Sequence, residues 1–125
     1  MARIGLLCPD LLFGSKVVGM LAAAGHEVTP VAGADDLRSG AAFDALVVDL
    51  TAEVDERLAV MEELRAGEVL DAVATLAFYS HVETDTRARA EAAGFDRVVP
   101  RSRMAREGAA LVDALLANAD AGAGE

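Results

Sequence analysis

A short apolar run that ends abruptly at an acid constrains the fold of this chain most. The run extends from Ala45 to Val48, and Asp49 follows it directly. Because it is too short for a helix and is bounded by polar residues, it is typical of a strand buried on both faces of a parallel sheet. Ligands and chemistry in open α/β sheets collect at the carboxyl ends of the strands. Asp49 is therefore the first residue to examine for a function.

Strand-like and helix-like segments alternate along the rest of the chain. The predicted strands are Arg3 to Leu7, His26 to Val31, Ala45 to Asp49, Asp71 to Tyr79, and Arg97 to Pro100. The predicted helices are Leu12 to Ala24, Ala34 to Arg38, Ala52 to Ala66, Val82 or Glu83 to Ala93, and Met104 to Ala117. With right-handed crossovers, this alternation predicts an α/β, flavodoxin-like, doubly wound sheet of five parallel strands in the order 2-1-3-4-5, with a shortened second helix.

Several polar residues are placed to begin the predicted helices. Asp10 precedes the first helix and can cap it, and Thr51 can do the same for the third. Ser80 and Glu83 have the spacing of a capping box at the start of the fourth helix. Pro30 places the second strand at an edge of the sheet, because proline has no N–H for a ladder.

Length and composition limit the classes of function. The 125 residues form one domain, 1–117, followed by a tail at 118–125 that we expect to be disordered. A net charge of −10 argues against nucleic-acid binding, which needs a basic footprint. No apolar run approaches the ~20 residues of a membrane span, and the N-terminus lacks the features of a signal peptide. We therefore expect a cytoplasmic protein. The single cysteine, Cys8, excludes a disulfide framework and a zinc site built on several thiolates.

The chain resembles a receiver domain, the phosphoacceptor module of two-component response regulators, over residues 3–117. Asp49 stands where a receiver has its phosphoacceptor aspartate, and the pair Tyr79 and Ser80 stands where a receiver has a Thr or Ser. The segment from Ala90 to Asp96 resembles the Ala-x-x-Ala-Gly-Ala-x segment that precedes the last strand of a receiver. The resemblance implies the CheY-like form of the flavodoxin-like fold and a signalling role, not an enzyme.

The sequence departs from this family at the groups that carry phosphoryl chemistry. A receiver holds Mg²⁺ with an acid pair after strand one, but those positions are Cys8 and Pro9 here, and Asp10 comes one position later. The family's lysine after strand five falls at about Arg101, whose planar fork does not replace a lysine point charge. The chain is therefore similar to an atypical or pseudo-receiver. We expect no cofactor, and Mg²⁺ at Asp10 and Asp49 only if the domain can be phosphorylated.

Three hypotheses remain open at this level. The first is a stand-alone signalling domain that binds a protein partner, or a second copy of itself, through the face formed by helix four, strand five and helix five. The second is a working phosphoacceptor with Asp49 as acceptor, Asp10 as metal acid, Ser80 as switch hydroxyl and Arg101 as cation. The third is a small-ligand or anion site. Its candidate residues lie at the carboxyl edge of the sheet: Asp10, Asp49, Ser80, His81 and Arg101. Tyr79 is a further switch candidate at this edge, and a Tyr79 side chain that fills the edge would exclude the site.

Each candidate residue also has a structural interpretation. Asp49 can cap the next helix or accept backbone N–H groups, and Cys8 can fill the place of the lost acid. Arg101 can pair with Asp49 and lock one conformation without phosphate, or it can be a solvated arginine ahead of the last helix. His81 can be a surface residue in the first turn of a helix, and His26 is expected to be structural.

Overall fold

Five parallel strands form one sheet in the computed structural model, which describes residues 2–38, 43–80 and 84–123. The strands are β1 (Arg3–Leu7), β2 (Glu27–Pro30), β3 (Ala45–Asp49), β4 (Ala74–Tyr79) and β5 (Arg97–Pro100). The helices are α1 (Leu11–Ala23), α2 (Ala34–Arg38), α3 (Val54–Ala66), α4 (Thr84–Ala92) and α5 (Arg101–Ala123). The strand order is β2-β1-β3-β4-β5, so the predicted fold class, strand order and short second helix are confirmed.

The strand β3 lies in the middle of the sheet, as its apolar sequence predicted. It pairs with β1 on one side and with β4 on the other, and all five of its residues are buried. Leu46 lies between Gly5 and Thr75 in this register. A Cβ on Gly5 would come within 3.3 Å of the side chains of Leu46 and Phe43, so glycine allows the core to pack closely against β1.

The two faces of the sheet pack against different helices. One core contains α1 and α5, including Val17, Phe78 and Met104. The other contains α2, α3 and α4, including Met61 and Tyr79. Because successive side chains of a strand point to opposite faces, the neighbours Phe78 and Tyr79 enter different cores.

The start of α3 differs from its prediction. The helix begins at Val54, not Ala52, and its N-cap residue Glu53 has a left-handed backbone (φ 52°) with no side-chain cap. Thr51 therefore does not cap the helix, because its side chain is used elsewhere. Arg57 is buried at 8% exposure, a position that the apolar pattern did not indicate.

Other predicted bounds were wrong by a few residues. The segment before β4 forms a turn in which Val73 N–H donates to Leu70 C=O, so the strand begins at Ala74 rather than Asp71. The helix α5 begins at Arg101 and continues to Ala123, past the predicted end at Ala117, because alanines favour the helix. The domain limit at 117 itself stays a prediction.

In the described part of the chain, no helix is both long and apolar enough to cross a bilayer.

Two predictions involve positions 81–83, which lie outside the described residues. They are the capping box of Ser80 and Glu83 and the candidate site residue His81.

Candidate functional site: a carboxylate with every oxygen engaged

The carboxyl edge of the sheet brings Asp10, Asp49 and Arg101 together, as the order of the strands predicted. We call this edge the rim and define it by Asp10, Asp49, Tyr79, Ser80 and Arg101. Asp49 is the last residue of β3 and is only 5% exposed. Leu50 N–H continues the ladder by donating to Phe78 C=O, which holds Asp49 firmly at the end of the strand. A buried carboxylate needs hydrogen-bond donors, and the structure supplies them from two neighbouring segments.

One oxygen of Asp49 accepts two hydrogen bonds from Thr51. The Thr51 backbone N–H lies 2.7 Å from Oδ1, and the Thr51 hydroxyl oxygen lies 2.5 Å from the same atom. This local turn, in which an aspartate accepts from the residue two positions later, is a common way to use a short acid at a strand end. The sequence showed the Asp-Leu-Thr spacing, but Thr51 was assigned there to helix capping.

The other oxygen of Asp49 faces Cys8. The Cys8 thiol donates to Oδ2 across 3.5 Å, and Asp10 C=O lies 3.7 Å from the same sulfur. Burial first, and then the Asp49 charge and the hydrogen bond to Asp49, together raise the pKa of the Cys8 thiol from 9.0 to about 12. Cys8 therefore stays protonated at neutral pH and acts as a hydrogen-bond donor, so it lacks the lowered pKa of a reactive cysteine.

Asp10 is engaged through both of its oxygens as well. Its Oδ1 accepts from Phe13 N–H at 3.0 Å, which confirms the predicted cap of α1. Its Oδ2 lies 3.3 Å from Nη2 of Arg101. Arg101 is thus placed on Asp10, not on Asp49, and the Arg101–Asp49 pair considered from the sequence is not the arrangement of the structure.

Arg101 is also held by an aromatic stack that the sequence did not reveal. Its guanidinium carbon lies 4.3 Å from the centroid of the Phe13 ring, and the Phe13 and Phe78 centroids are 5.0 Å apart. A half-exposed cation over an aromatic ring contributes roughly 0.5–1 kcal/mol, and a half-exposed ion pair contributes up to about 1 kcal/mol. The stack fixes where the positive charge of the rim lies, although it adds little stability.

The remaining candidates of the rim are distributed over two environments. Tyr79 is 6% exposed and packs into the core beside α3 and α4. The pKa of Arg87 on α4 is raised, first by its hydrogen bond to Glu91 and then by the nearby Tyr79. Ser80 is partly buried directly after β4. Ser80 is therefore the hydroxyl that follows the end of β4 at the rim, while Tyr79 belongs to the core below α4.

The described residues of the rim are not arranged as a magnesium site. Mg²⁺ demands nearly octahedral oxygen ligands, commonly one or two carboxylates with waters and phosphates. Each of the four carboxylate oxygens of Asp10 and Asp49 already accepts a hydrogen bond, and Asp10 Oδ2 accepts it from Arg101. In residues 2–38, 43–80 and 84–123, no group of three or more His, Cys, Asp or Glu side chains is arranged to hold a metal.

The opposite edge of the sheet has an open groove of about 1290 Å³. His26 lies there with its Nδ1 accepting from Ala2 N–H at 3.2 Å and its Nε2 2.7 Å from Oδ1 of Asp113. Both ring nitrogens of His26 are occupied, so this histidine ties the start of β1 to α5. The arrangement agrees with the structural role expected for His26.

Comparisons with known proteins identify the fold. No family model matches the chain, and no curated protein matches it closely. Solved structures of receiver domains do match. The receiver domain of the TMAO respiratory system response regulator TorR shares 17% identity over 94% of this chain and 98% of its own, with a TM-score of 0.80.

Two further structures extend the likeness to other organisms. A CheY-like receiver domain protein from Methanospirillum hungatei shares 15% identity over 96% of this chain and 97% of its own, with a TM-score of 0.79. The receiver domain of a sensor histidine kinase from Pseudomonas aeruginosa shares 21% identity over 93% and 98%, with a TM-score of 0.78. That structure has a magnesium ion coordinated in its active-site cleft. The resemblance to receivers is thus confirmed for the fold.

Proposed function

We propose that this chain is an atypical receiver module that acts by binding another protein, and that Asp49 is a structural hydrogen-bond acceptor in it, not a phosphoacceptor. One observation carries the proposal: both oxygens of Asp49 are engaged by Thr51 and Cys8 in a site that is 5% exposed. The receiver fold supports a signalling role. The absence of an enzyme activity and a cytoplasmic location remain predictions.

Phosphoryl transfer to Asp49 would have to disrupt this arrangement. An attacking carboxylate oxygen must approach phosphorus in line, and the charge on the equatorial oxygens must be neutralised. Here the Thr51 donors and the Cys8 thiol hold the two oxygens, and Arg101 is paired with Asp10. An incoming dianion would meet the negative charges of Asp10 and Asp49 without a metal to bridge them, which raises the barrier.

The partner surface that we favour is the face formed by α4, β5 and α5. Two arginine contacts fasten the α4 side of this face to α3: Arg89 Nη2 pairs with Asp55, and Arg65 Nη2 donates to Gly94 C=O at 2.8 Å. Both contacts form without a phosphorylation event. The same face is the one through which a second copy of the chain would associate, and the oligomeric state in solution decides between the two.

Incubation with acetyl phosphate and Mg²⁺, followed by intact mass spectrometry, tests the proposal. We expect no species heavier by about 80 Da, the mass of one phosphoryl group. A receiver domain that acetyl phosphate phosphorylates, treated in parallel, serves as the reaction control. A species of that mass that forms on the natural chain and disappears in Asp49→Asn would overturn the proposal and favour the working phosphoacceptor.

A further inference from the structure

The outward side of α1 is apolar, although helices at a protein surface commonly expose polar residues on that side. Leu11 and Leu12 leave 84% and 88% of their surface exposed, and both lie in the first turn of the helix. Small exposed residues continue the same side of the helix: Ser15, Gly19, Ala22 and Ala23. We call these six residues the α1 face. The buried side of α1, which includes Val17 and Leu21, lies opposite, so the core of the chain does not explain the two leucines.

The α1 face carries no charge in a chain whose net charge is −10. Lys16, at the border of the face, is the one charged residue between positions 11 and 25. Asp10, the nearest acid before the helix, is paired with Arg101. A large net charge of one sign keeps copies of a protein apart, because most approaches bring like charges together. Two copies that meet at the α1 face reduce this repulsion, since the face itself contains no carboxylate.

Gly19, in the middle of α1, has no packing role within the described part of its own chain. A Cβ at this position would meet no atom within 4 Å, so there is room for a side chain. Gly108 on α5 is the opposite case, because a Cβ there would lie 2.7 Å from Sδ of Met20 on α1. Glycine inside a helix is less stable than alanine, so an exposed glycine without a packing role destabilises the helix. The close approach of another backbone would give Gly19 such a role.

The residues of the α1 face are ordered by size along the helix. The two leucines stand at its N-terminal end, and the two alanines stand at its C-terminal end. In an antiparallel pair related by a two-fold axis, each large end lies against the small end of the other copy. With the axis at the level of Val17, the opposed residues are Leu11 with Ala23, Leu12 with Ala22, and Ser15 with Gly19. A parallel pair would place leucine on leucine and leave a gap between the alanines. The α1 face is therefore complementary to itself in the antiparallel orientation.

We propose that a second copy of this chain packs on the α1 face, with the two helices antiparallel and closest together at Ser15 and Gly19. Small residues at a crossing allow two helices to reach the short end of the usual interaxial distance of about 8–10 Å. The six residues of the face are far fewer than the roughly 20–30 per partner in a standard interface. We therefore expect a weak and reversible dimer.

This dimer goes beyond the proposed function and does not depend on it. The helix α4 packs on the opposite face of the sheet from α1, so pairing through α1 leaves α4 accessible to a partner. The contact also differs from self-association through α4, β5 and α5, which uses other residues. An anionic membrane surface fits the α1 face less well, because such binding uses several basic residues and α1 has Lys16 alone.

Sedimentation velocity of the full chain from about 10 μM to about 1 mM tests the inference. We expect the average mass to rise with concentration from 12.9 kDa towards that of a dimer. Leu12→Glu brings two carboxylates into the contact and is expected to abolish this rise. Ala110→Glu introduces the same residue and the same charge on the exposed side of α5. This control is expected to change the dissociation constant by less than about twofold, because solvent and salt screen distant charges.

Gly19→Leu distinguishes a close crossing from the general stickiness of an apolar surface. Within one chain a Cβ meets open space at this position and leucine favours the helix, so we expect a higher melting temperature at low concentration. In the dimer the new side chain holds the two helices apart. We expect association to be weaker by at least about tenfold, or about 1.4 kcal/mol. Non-specific association predicts the reverse, because the variant exposes more apolar surface.

An exchange of large and small residues tests the antiparallel register. Leu12→Ala removes a side chain from the contact and Ala22→Leu crowds it, so each single variant is expected to weaken the dimer about tenfold. The double variant again opposes leucine with alanine, and we expect it to recover to within about threefold of the natural affinity. Both positions are exposed, so the exchange leaves the core of the monomer unchanged.

Four results would each overturn the inference. They are a chain that stays monomeric at about 1 mM, an effect of Ala110→Glu as large as that of Leu12→Glu, tighter association of Gly19→Leu, and a double variant no better than the single ones. Circular dichroism and thermal unfolding at low concentration show that each variant is folded. The acetyl phosphate experiment reports separately on Asp49, so the proposed function stands or fails independently of the dimer.

Discussion

The Cys8 thiol and the Asp49 carboxylate face each other across 3.5 Å, with the thiol as donor. The family that the chain resembles has an acid at the Cys8 position, and two carboxylates at that distance repel each other unless a cation lies between them. A neutral donor removes that repulsion. With a cysteine at this position, both oxygens of Asp49 have hydrogen-bond donors within the chain.

The first prediction concerns the reactivity of Cys8. Its pKa of about 12 in the folded chain, against 9.0 for an ordinary thiol, leaves very little thiolate at pH 9. We expect iodoacetamide to alkylate the folded chain at pH 9 at least a hundredfold more slowly than the urea-unfolded chain, because a three-unit shift is about a thousandfold in thiolate. Intact mass against time measures both rates, and equal rates would contradict the raised pKa.

The same shift predicts how stability depends on pH. The folded pKa is raised, so the folded state retains a proton that the unfolded state releases above pH 9. The contribution of Cys8 to the free energy of unfolding is complete below pH 9 and is lost as the pH rises towards 12.

Asp49→Asn removes the negative charge and is expected to lower the Cys8 pKa without returning it to 9.0, since burial is the larger cause. Alkylation profiles of the two chains between pH 8 and 11 measure the difference.

The second prediction concerns Thr51. Thr51→Val keeps the shape of the side chain and the backbone donor but removes the hydroxyl that lies 2.5 Å from Asp49 Oδ1. Hydrogen bonds to charged groups contribute about 1.5–3 kcal/mol, so we expect a loss of that order in the free energy of unfolding by urea. Thr51→Ser retains the hydroxyl and is expected to cost less than half as much. Equal losses in the two variants would show that the methyl group contributes as much to stability as the hydroxyl, and would contradict this prediction.

The third prediction separates the two roles of Asp10. Asp10→Asn keeps an oxygen for Phe13 N–H and loses the ion pair with Arg101, whereas Asp10→Ala loses both. An exposed ion pair contributes up to about 1 kcal/mol, and an aspartate cap contributes about 1 kcal/mol relative to alanine. We therefore expect Asp10→Ala to lower the free energy of unfolding by about 1 kcal/mol more than Asp10→Asn. Equal losses in the two variants would mean that the ion pair, not the cap, accounts for the contribution of Asp10 to stability.

The fourth prediction restores an acid beside Asp49. Cys8→Asp replaces the thiol donor with a carboxylate, so we expect a less stable chain without metal and a higher melting temperature on addition of Mg²⁺. If Mg²⁺ binds with a dissociation constant near 1 mM, 10 mM stabilises the folded state by about 1.4 kcal/mol. The natural chain is expected to show no such response. Cys8→Asn, which has the same size without the charge, is the matched control, and a Mg²⁺ response in that control would place the ion elsewhere.

The main features of the fold followed from the pattern of the sequence. Ala45 to Val48 is apolar at every position, which requires burial on both faces, and the order of strands follows from right-handed crossovers. Asp10 was recognised as a cap because its backbone geometry is set by the next three residues. The burial of β3 and the cap of α1 depend on residues that are close together in the chain, so the sequence shows both directly.

The side-chain partners at the rim depended on distant contacts and were not predictable in the same way. The Thr51 hydroxyl could either cap α3 or donate to Asp49. Only the position of β3 relative to α3 decides that it donates to Asp49. Arg101 pairs with Asp10 beside the Phe13 ring, which packs on Phe78 and provides a flat surface for the guanidinium group. The Arg101–Asp10 contact leaves no periodic signal because it joins positions 91 residues apart in the chain. The Thr51–Asp49 contact leaves none because the two uses of Thr51 are both local.

The burial of Tyr79 gives the molecule a built-in optical reporter. The chain has one tyrosine and no tryptophan, so its intrinsic near-ultraviolet emission comes from one ring. That ring lies in the core shared by α3 and α4, where Arg87 approaches it. Any partner that shifts α4 against the sheet changes the surroundings of this one fluorophore. Binding at the α4, β5 and α5 face can therefore be followed on the unlabelled natural protein, provided that the partner itself lacks tyrosine and tryptophan.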